Sequence, residues 1–491
     1  MTRTVDHFIG GEWVPALSGR RHPDHDPWDR TVLASVASGD SEDARRAVEA
    51  AHAAYPAWSS LPPAARQQVF LRAAALLDER SAEVRALLAA ETGCGHSFAT
   101  TQLEFSLALL RQAAALPYAP TGQLLPTDVP GARAMAVRRP VGVVAAIAPW
   151  NAALVLAGRA IVGPLALGNA VVLKPSEESP ISGGTFWASL LADAGLPAGV
   201  LNVVTHAPGD ASMIAEEMVA HPLVRRISFT GSTGTGRRLA ELAARHLKRP
   251  VLQLSGHNPL LVLADADLSL AVAAATYGAF VHQGEVCMCV RRIIVDRAVA
   301  SEFTSRFVAR VGSLPVGDPR DAATVVGPLI NEWALSLVGR RVAEAVSLGA
   351  SVLVGGEAAG PCYRPTVLAG VPAEAEIAFE ETFGPVALLE VVDGPDEAVA
   401  RANASRFGLT AGIISADVYR GLDLAQRLEA GIVHVNDQTV NDEPQMPFGG
   451  VKDSGWGRFG LQFTAEDFTE LQWITLRDGP RAYPIPGSPA P

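Results

Sequence analysis

The sequence predicts an α/β protein built on doubly wound parallel sheets, and three observations lead to that fold class. From about residue 141, short apolar runs alternate with segments of helical periodicity. The short runs are apolar at consecutive positions, which is typical of strands buried on both faces. The same alternation continues after residue 255, so we expect a second α/β unit behind the first.

The expected elements follow in chain order. Near the N-terminus we expect a strand pair around residues 8–14 turning at Gly10-Gly11, a helix from Ser41 as N-cap toward Ala57, and a helix opened by Pro62-Pro63. In the first unit we expect strands at 143–148, 170–173, 200–204, 226–230 and 251–254, with helices at 152–167, 182–194, 211–219 and 234–246. In the second unit we expect strands at 260–263 and 292–295, with helices at 268–280 and 298–311, and the proline-rich residues 479–491 form a tail.

Composition excludes several classes of protein. The chain has 491 residues, enough for about three structural units, and a net charge of -11 that disfavours a nucleic-acid partner. The four cysteines form no disulfide framework and no zinc spacing, so we expect a reducing compartment and no metal.

Neither a membrane span nor a secretory signal is expected. The N-terminus carries charged residues and no long apolar run. The most apolar region, residues 141–173, is interrupted by Pro149, Asn151, Arg159 and Pro164. We therefore expect a cytoplasmic protein and interpret the region as buried core.

The segment Gly284-Glu285-Val286-Cys287-Met288-Cys289 offers a candidate nucleophile. A cysteine beside a glycine between two regular elements can be exposed, and a thiolate is a strong nucleophile. By itself the segment favours the opposite interpretation, because most cysteines are small buried hydrophobic residues.

Two further segments suit a nucleotide. The turn Phe229-Thr230-Gly231-Ser232-Thr233-Gly234 follows a strand and opens a helix, whose backbone amides suit a diphosphate, although it is neither a Walker loop nor a full G-x-G-x-x-G. Lys174-Pro175-Ser176-Glu177 ends a strand, where ligands collect in open parallel sheets, and its lysine and glutamate could hold ribose hydroxyls.

Taken together, the order and spacing of these motifs resemble the aldehyde dehydrogenase superfamily over nearly the whole chain. The matching segments are residues 8–13 (FIGGEW), 149–151 (PWN), 174–177 (KPSE), 229–232 (FTGS), 284–287 (GEVC), 380–385 (EETFGP) and 447–455 (PFGGVKDSG).

The resemblance implies a three-part fold. The NAD(P)-binding domain would comprise residues 1–117 and 140–254, and the catalytic domain residues 255–456. Residues 118–139 and 457–491 would form a small β flap for oligomerisation together with the C-terminal tail, giving a homodimer or homotetramer.

The resemblance also assigns roles by position. Cys287 would attack the aldehyde, and Asn151, with the Cys287 backbone N–H, would stabilise the oxyanion. The cofactor-binding positions would be Trp150, Lys174, Ser176, Glu177, Gly231, Ser232, Glu381 and Phe383, whereas Cys289 has no role in the family. Glu177 would repel a 2′-phosphate, which favours NAD, while Lys174 and Ser176 could tolerate NADP.

One position departs from the family pattern. The family usually carries Glu-Leu-Gly-Gly before the cysteine and uses that glutamate as the general base, whereas this chain has Gln253-Leu254-Ser255-Gly256. A neutral amide cannot accept the proton of the hydrolytic water.

Three interpretations of Gln253 stay open. In the first, deacylation is slowed while hydride transfer is retained. In the second, Glu285 or His257 supplies the base. In the third, the acyl group passes to coenzyme A or an amine. A catalytically reduced, cofactor-binding family member is a further alternative.

The segment from Val433 to Met446, with residues 282–288, resembles the benzaldehyde, vanillin and salicylaldehyde dehydrogenase branch. The resemblance implies an aromatic aldehyde as substrate. Candidate walls of its pocket are Trp150, Val286, Met288 and Met446.

Overall fold

The computed structural model describes residues 3–119, 121–479 and 483. Its helices are α1 (Ser41–Ser59), α2 (Pro63–Glu79), α3 (Ser81–Thr92), α4 (His96–Ala113), α5 (Ala153–Ala166), α6 (Phe186–Asp193), α7 (Ala211–Ala220), α8 (Thr233–Arg245), α9 (Leu268–Phe280), α10 (Arg297–Gly312), α11 (Glu332–Ser347), α12 (Glu376–Phe379), α13 (Pro395–Asn403), α14 (Val418–Arg427) and α15 (Leu461–Phe468).

The strands of the first half are β1 (Arg3–Val5), β2 (His7–Ile9), β3 (Glu12–Val14), β4 (Arg21–His25), β5 (Val32–Ala37), β6 (Gly122–Leu125), β7 (Ala132–Pro140), β8 (Val143–Ile147), β9 (Ala170–Lys174), β10 (Leu201–Val203), β11 (Val224–Thr230) and β12 (Arg249–Gln253). Those of the second half are β13 (Asn258–Val262), β14 (Val290–Asp296), β15 (Ser351–Val354), β16 (Ala358–Ala359), β17 (Cys362–Tyr363), β18 (Thr366–Ala369), β19 (Val386–Val392), β20 (Phe407–Gly408), β21 (Thr410–Ile414), β22 (Ile432–Val435), β23 (Val451–Lys452), β24 (Gly455–Trp456) and β25 (Thr469–Arg477).

The first large sheet has the order β24-β12-β11-β8-β9-β10-β2-β3. Its central strands β12, β11, β8, β9 and β10 run parallel, and the hairpin of β2 and β3 closes one edge antiparallel. Strands β8 and β9 are buried along their whole length, as their continuous apolar sequences predicted. Because the carboxyl ends of parallel strands meet at one edge, Ile147, Lys174 and Thr230 end on the same side of this sheet.

The second large sheet has the order β15-β18-β19-β14-β13-β21-β22, and all its strands except β15 run parallel to their neighbours. The doubly wound α/β fold class predicted from the sequence is thereby confirmed. One short strand of the second half, β24, crosses over and pairs antiparallel with β12 of the first sheet. This pairing brings residues 455–456 beside Gln253.

A third sheet joins β6 and β7 to the C-terminal strand β25, in the order β25-β7-β6. The register runs antiparallel from Thr469 opposite Pro140 to Arg477 opposite Ala132. Several large apolar side chains of this sheet are exposed, namely Leu124, Leu125, Leu471, Trp473 and Leu476.

Two local predictions need correction. The N-cap of α1 is Asp40 rather than Ser41, because the Asp40 carboxylate accepts from the Glu42 and Asp43 amides and the Asp43 side chain accepts from the Asp40 amide, completing a capping box. The helix expected over 182–194 begins as a turn of π-helix, Ile181–Thr185, before α6. Most of the proline-rich tail lies outside the described residues.

Within residues 3–119, 121–479 and 483, no helix has both the length and the apolar sequence needed to cross a bilayer. In the same part of the chain, no group of three or more His, Cys, Asp or Glu side chains has an arrangement that could hold a metal ion.

Candidate active site and cofactor cleft

Cys287 lies on a short connection between α9 and β14, and the backbone before it is unusual. His282, Gln283 and Gly284 all have positive φ angles, of 48°, 44° and 74°. A Cβ at Gly284 would lie 2.2 Å from the carbonyl oxygen of Gly384, so only glycine fits there. Left-handed backbone at two non-glycine residues is sparsely populated and occurs where the fold over-determines it. The turn leaves Cys287 half-buried at the end of a cavity.

The backbone of Cys287 is held from the side of the second sheet. The side-chain amide of Asn258 donates to the carbonyl oxygens of Cys287 (2.8 Å) and Cys289 (2.9 Å). A Cβ at Gly256 would lie 2.6 Å from the Cys287 carbonyl oxygen, so the glycine permits a close backbone approach. These contacts fix the orientation of the nucleophile segment.

Asn151 approaches Cys287 from the first sheet. It follows β8, just before α5, and its buried side-chain Nδ2 donates to the backbone carbonyl of Glu285 at 2.9 Å. Asn151 and Cys287 line the same cavity. The structure therefore brings together the two residues that the sequence placed at the reacting carbon, although 136 positions separate them.

The thiol of Cys287 is a weak acid in this structure. Burial, with a smaller contribution from the nearby Glu381 carboxylate, raises its pKa to about 12, while the Arg159 guanidinium acts in the opposite direction. At neutral pH the resting enzyme therefore carries a protonated thiol at this position.

Gln253 is the last residue of β12 and is buried. Its Nε2 donates to the carbonyl oxygen of Phe448 at 3.4 Å. Its Oε1 has no hydrogen-bond partner among the described residues. The predicted hydrolysis position thus holds a neutral group with one unused acceptor.

Glu285 is turned away from the cavity. Its carboxylate accepts from the Ile330 backbone amide at 3.2 Å, and complete burial holds its pKa well above the ordinary range. His257 is also buried, with Nε2 3.2 Å from the Ile377 carbonyl oxygen and a pKa lowered by burial to about 3. Each side chain is buried against a backbone group of another segment, Ile330 for Glu285 and Ile377 for His257, so the structure does not favour the interpretation in which one of them activates water.

The cavity at Cys287, together with its opening to solvent, spans about 600 Å³ and has aromatic side chains in its walls. Helix α4 lines the cavity with Phe98, Thr101, Gln102 and Phe105, which follow one another at helical spacing. The sequence contains this spacing, but we did not interpret it as a pocket wall. The lining comprises the aromatic residues Phe98, Phe105, Tyr277 and Phe448, the aliphatic residues Ala152, Val155, Leu156, Val286, Met288 and Val440, and the polar residues Thr101, Gln102, Asn151, Arg159, Cys287 and Asp442.

Two predicted wall residues are placed elsewhere. Met446 is 47% exposed, because the chain turns back there with the Met446 amide bonded to the Glu443 carbonyl, and Phe448 lines the cavity instead. Trp150 meets Phe383 edge to face, at 5.7 Å between ring centroids, outside the described cavity lining. Val286 and Met288 do line the cavity.

An ion pair that sequence analysis missed crosses the cavity wall. The buried Arg159 of α5 pairs with Asp442, and its guanidinium lies 4.2 Å from the Phe448 ring centroid and 5.0 Å from that of Phe105. Burial raises the pKa of Asp442, and Arg159 opposes that shift. The sequence signal was a lone arginine in an otherwise apolar helix.

The carboxyl ends of β9 and β11 carry a second group of polar residues. Lys174 is the last residue of β9, and the Ser176 hydroxyl donates to the Glu177 carboxylate at 3.1 Å. After β11, Gly231 precedes Ser232, the N-cap of α8, whose side chain accepts from the Thr235 amide. The first turn of α8 thereby presents backbone amides toward this edge of the sheet.

Glu381 and Phe383 are the candidate cofactor-binding residues of the second half of the chain. Oε1 of Glu381 accepts from the Gly256 amide at 3.1 Å, and burial raises the pKa of this carboxyl group while the Ser255 hydroxyl opposes the shift. Phe383 packs on Trp150. The donors and acceptors fit a dinucleotide: a lysine and a carboxylate for ribose hydroxyls, helix amides for phosphate and a second carboxylate near the thiol.

Comparison with known proteins agrees with this geometry. The sequence model of the Aldehyde dehydrogenase family matches residues 13–474, and the chain belongs to that family. It is therefore an oxidoreductase that acts on aldehydes with a nicotinamide cofactor.

Individual relatives cover almost the whole chain. A vanillin dehydrogenase of Pseudomonas fluorescens is 47% identical, over 98% of this chain and 99% of its own length. A benzaldehyde dehydrogenase [NAD(+)] of Pseudomonas putida is 41% identical, over 97% of each chain. The crystal structure of a salicylaldehyde dehydrogenase from Pseudomonas putida G7, complexed with salicylaldehyde, superposes with a TM-score of 0.96 at 36% identity, covering 98% of this chain and 100% of that one.

Proposed function

We propose that this enzyme oxidises an aromatic aldehyde to the carboxylic acid with NAD, through a covalent intermediate on Cys287. The observation that carries the proposal is the ring-lined cavity that contains the Cys287 thiol. Four aromatic side chains offer flat apolar surface to a benzaldehyde-type ring, and offset or edge-to-face ring contacts are favourable. Relatives named for vanillin, benzaldehyde and salicylaldehyde support the same substrate class.

The first half-reaction uses Cys287 and Asn151. The Cys287 thiol first loses its proton to solvent; the sulfur then attacks the carbonyl carbon, and the carbonyl oxygen takes up the negative charge as the thiohemiacetal forms. The Asn151 amide and the Cys287 backbone N–H stabilise that charge, and each such donor typically contributes about 3 kcal/mol to the transition state. The bond from Asn151 Nδ2 to the Glu285 carbonyl orients the amide before substrate arrives. The bound nicotinamide supplies a hydride acceptor, and loss of the hydride leaves a thioester on Cys287.

The second half-reaction depends on Gln253. Hydrolysis needs a water that attacks the thioester carbon while a base takes its proton, after which the C–S bond breaks and Cys287 is released. The unpartnered Oε1 of Gln253 can accept a hydrogen bond from that water and orient it. Gln253 cannot take the proton, so we propose that deacylation is slow and limits turnover.

The cofactor proposal rests on charge. Glu177 would accept a hydrogen bond from a free 2′-hydroxyl of the adenine ribose and would repel a 2′-phosphate, which supports NAD. The other proposed cofactor-binding residues are Trp150, Lys174, Ser176, Gly231, Ser232, Glu381 and Phe383.

The assembly proposal rests on the third sheet. Its exposed apolar side chains, Trp473 and Leu124 among them, are unusual on a surface that meets only water. We propose that this flap, residues 118–139 with the strand near 473–476, joins copies of the chain as a dimer or tetramer. The domains proposed on either side of the active site are residues 1–117 with 140–254, and residues 255–456.

The test is a rapid-mixing experiment with micromolar enzyme, NAD and benzaldehyde or vanillin, followed by intact-mass analysis. We expect a burst of reduced cofactor near one equivalent per site, then slow turnover, with an acyl group on Cys287. The Cys287→Ala variant is the matched control and should give no burst.

Substrate class is tested in the same assay. The kcat/KM for benzaldehyde should exceed that for propanal. An equal or larger kcat/KM for propanal would refute the aromatic assignment. Faster turnover on adding coenzyme A or hydroxylamine, with transfer of the acyl group, would instead favour an acyl-transferring enzyme. Cofactor binding without any burst would favour a binding role.

A further inference from the structure

A buried lysine–histidine contact lies at the end of β9. Nζ of Lys174 lies 2.6 Å from Nε2 of His206, and both side chains are buried. Nζ also donates to the Pro175 carbonyl oxygen at 3.3 Å. His206 follows β10, the neighbouring parallel strand, so the sheet itself brings the two residues together.

The direction of this hydrogen bond follows from the chemistry of the two groups. A lysine ammonium only donates, so Nε2 of His206 is the acceptor. The other ring nitrogen, Nδ1, lies 2.9 Å from the Ala207 carbonyl oxygen and donates to it, whereas Nε2, which also lies 3.2 Å from the Pro175 carbonyl oxygen, accepts in its shorter contact with the lysine. Burial, followed by the charge of Lys174, lowers the pKa of His206 to about 4, so the ring is neutral at physiological pH.

The contact limits what Lys174 can offer a ligand. An ammonium has three N–H donors, of which one goes to His206 and one to Pro175, leaving one. Burial lowers the pKa of Lys174 to about 8, and the Glu177 carboxylate opposes this shift. Glu177 lies 3.8 Å from Nε2 of His206 and adds negative charge to the same cluster.

We propose that His206 is a specificity-determining residue for the cofactor, because it accepts a hydrogen bond from Lys174 and thereby keeps that ammonium from pairing fully with a 2′-phosphate. A ribose hydroxyl requires a single N–H donor, and Lys174 retains one. A phosphate dianion gains most from a cation that directs several donors at it. The inference rests on the proposed function, which puts Lys174 and Glu177 at the adenine ribose.

The test measures dissociation constants of NAD and NADP by isothermal titration calorimetry on the full-length enzyme without aldehyde. In His206→Ala, the ratio of the NADP to the NAD dissociation constant should fall about tenfold, the size expected for one gained charge-assisted hydrogen bond. His206→Gln keeps an acceptor near the position of Nε2 and should leave the ratio close to that of the wild type.

A second background separates this role from a merely structural one. In Lys174→Met, adding His206→Ala should leave the ratio unchanged, because the effect passes through the lysine. An unchanged ratio in His206→Ala, or an equal fall in the Lys174→Met background, would overturn the proposal.

Folding is checked by circular dichroism. If His206→Ala does not fold, His206→Phe takes its place, because phenylalanine fills the space without a hydrogen-bond acceptor. The same fall in the ratio of the NADP to the NAD dissociation constant is then expected. Failure of the proposed function is distinguishable, since wild-type enzyme would then give no burst with aldehyde whatever its cofactor ratio.

Discussion

The two half-reactions proposed at Cys287 differ in how firmly the structure holds the residues that would perform them. We call Cys287 and Asn151 the acylation pair and Gln253 the hydrolysis position. The acylation pair is held by two hydrogen bonds, from the Asn258 amide to the Cys287 carbonyl and from the Asn151 amide to the Glu285 carbonyl. The hydrolysis position has one weak bond, to Phe448, and an unpartnered acceptor. In the proposed mechanism, acylation and hydrolysis therefore need different residues. The residues for acylation are held by more contacts than the residue for hydrolysis.

The electrostatic surroundings show the same contrast. The carboxyl groups that act on the Cys287 thiol are Glu381, proposed to bind cofactor, and Asp442, which is paired with Arg159. Both carboxyl groups are already engaged: Glu381 accepts from the Gly256 amide, and Asp442 is paired with Arg159, which opposes the rise that burial causes in its pKa. This arrangement supports slow hydrolysis.

Removing the sulfur nucleophile tests the acylation pair most severely. Cys287→Ala should lower aldehyde oxidation by at least about 10⁴-fold, since loss of a nucleophile abolishes the covalent route. Stopped-flow absorbance of reduced cofactor measures the rate. NAD affinity by calorimetry is the control and should stay within about threefold, whereas a surviving burst would place the nucleophile elsewhere.

The raised pKa of the thiol predicts a steep pH dependence. Only the thiolate reacts, and its fraction grows tenfold per pH unit below a pKa of about 12, so alkylation of Cys287 by iodoacetamide should accelerate about 10³-fold from pH 7 to pH 10. Intact mass against time, without cofactor, gives the rate, and Cys287→Ala supplies the background of other cysteines. A plateau beginning near pH 8 would show that the thiol is already activated in the free enzyme.

Asn151 tests the second member of the acylation pair. Asn151→Ala removes a side-chain oxyanion donor and should reduce the burst rate by about 10²- to 10³-fold, with little change in NAD affinity. Asn151→Asp, which keeps the shape but places negative charge near the oxyanion, should be at least as slow. A normal burst rate in both variants would remove Asn151 from the reaction.

Restoring a carboxylate tests the hydrolysis position. Gln253→Glu should increase steady-state turnover by about 10²-fold, the lower end of general-base catalysis, and should abolish the difference between burst and steady rates. Gln253→Ala, which removes the proposed water acceptor without adding a base, should not accelerate turnover. If wild type and Gln253→Glu turn over equally fast, another group already supplies the base and the contrast between the two half-reactions disappears.

Comparison of the predicted and observed elements shows which inferences survive from sequence. Strands β8 and β9 and helix α9 lie where their apolar segments predicted them, because a buried parallel strand or a largely apolar helix can be recognised from consecutive residues. The predicted N-cap of α1 was wrong by one residue, because the hydrogen bonds of the capping box at Asp40 decide where the helix begins. Met446 failed as a wall because a turn, not a periodic pattern, sets its direction.

The sequence by itself determined the parallel α/β class, the family, the positions of Cys287 and Asn151 and the replacement of a glutamate by Gln253, because these are matters of residue identity and order. Only the tertiary structure decided that Glu285 turns to Ile330 rather than to the cavity, that Arg159 meets Asp442 across 283 positions, and that His206 accepts from Lys174. The physical reason is that burial and long-range hydrogen bonding depend on which elements pack together, and local sequence patterns carry no record of that packing.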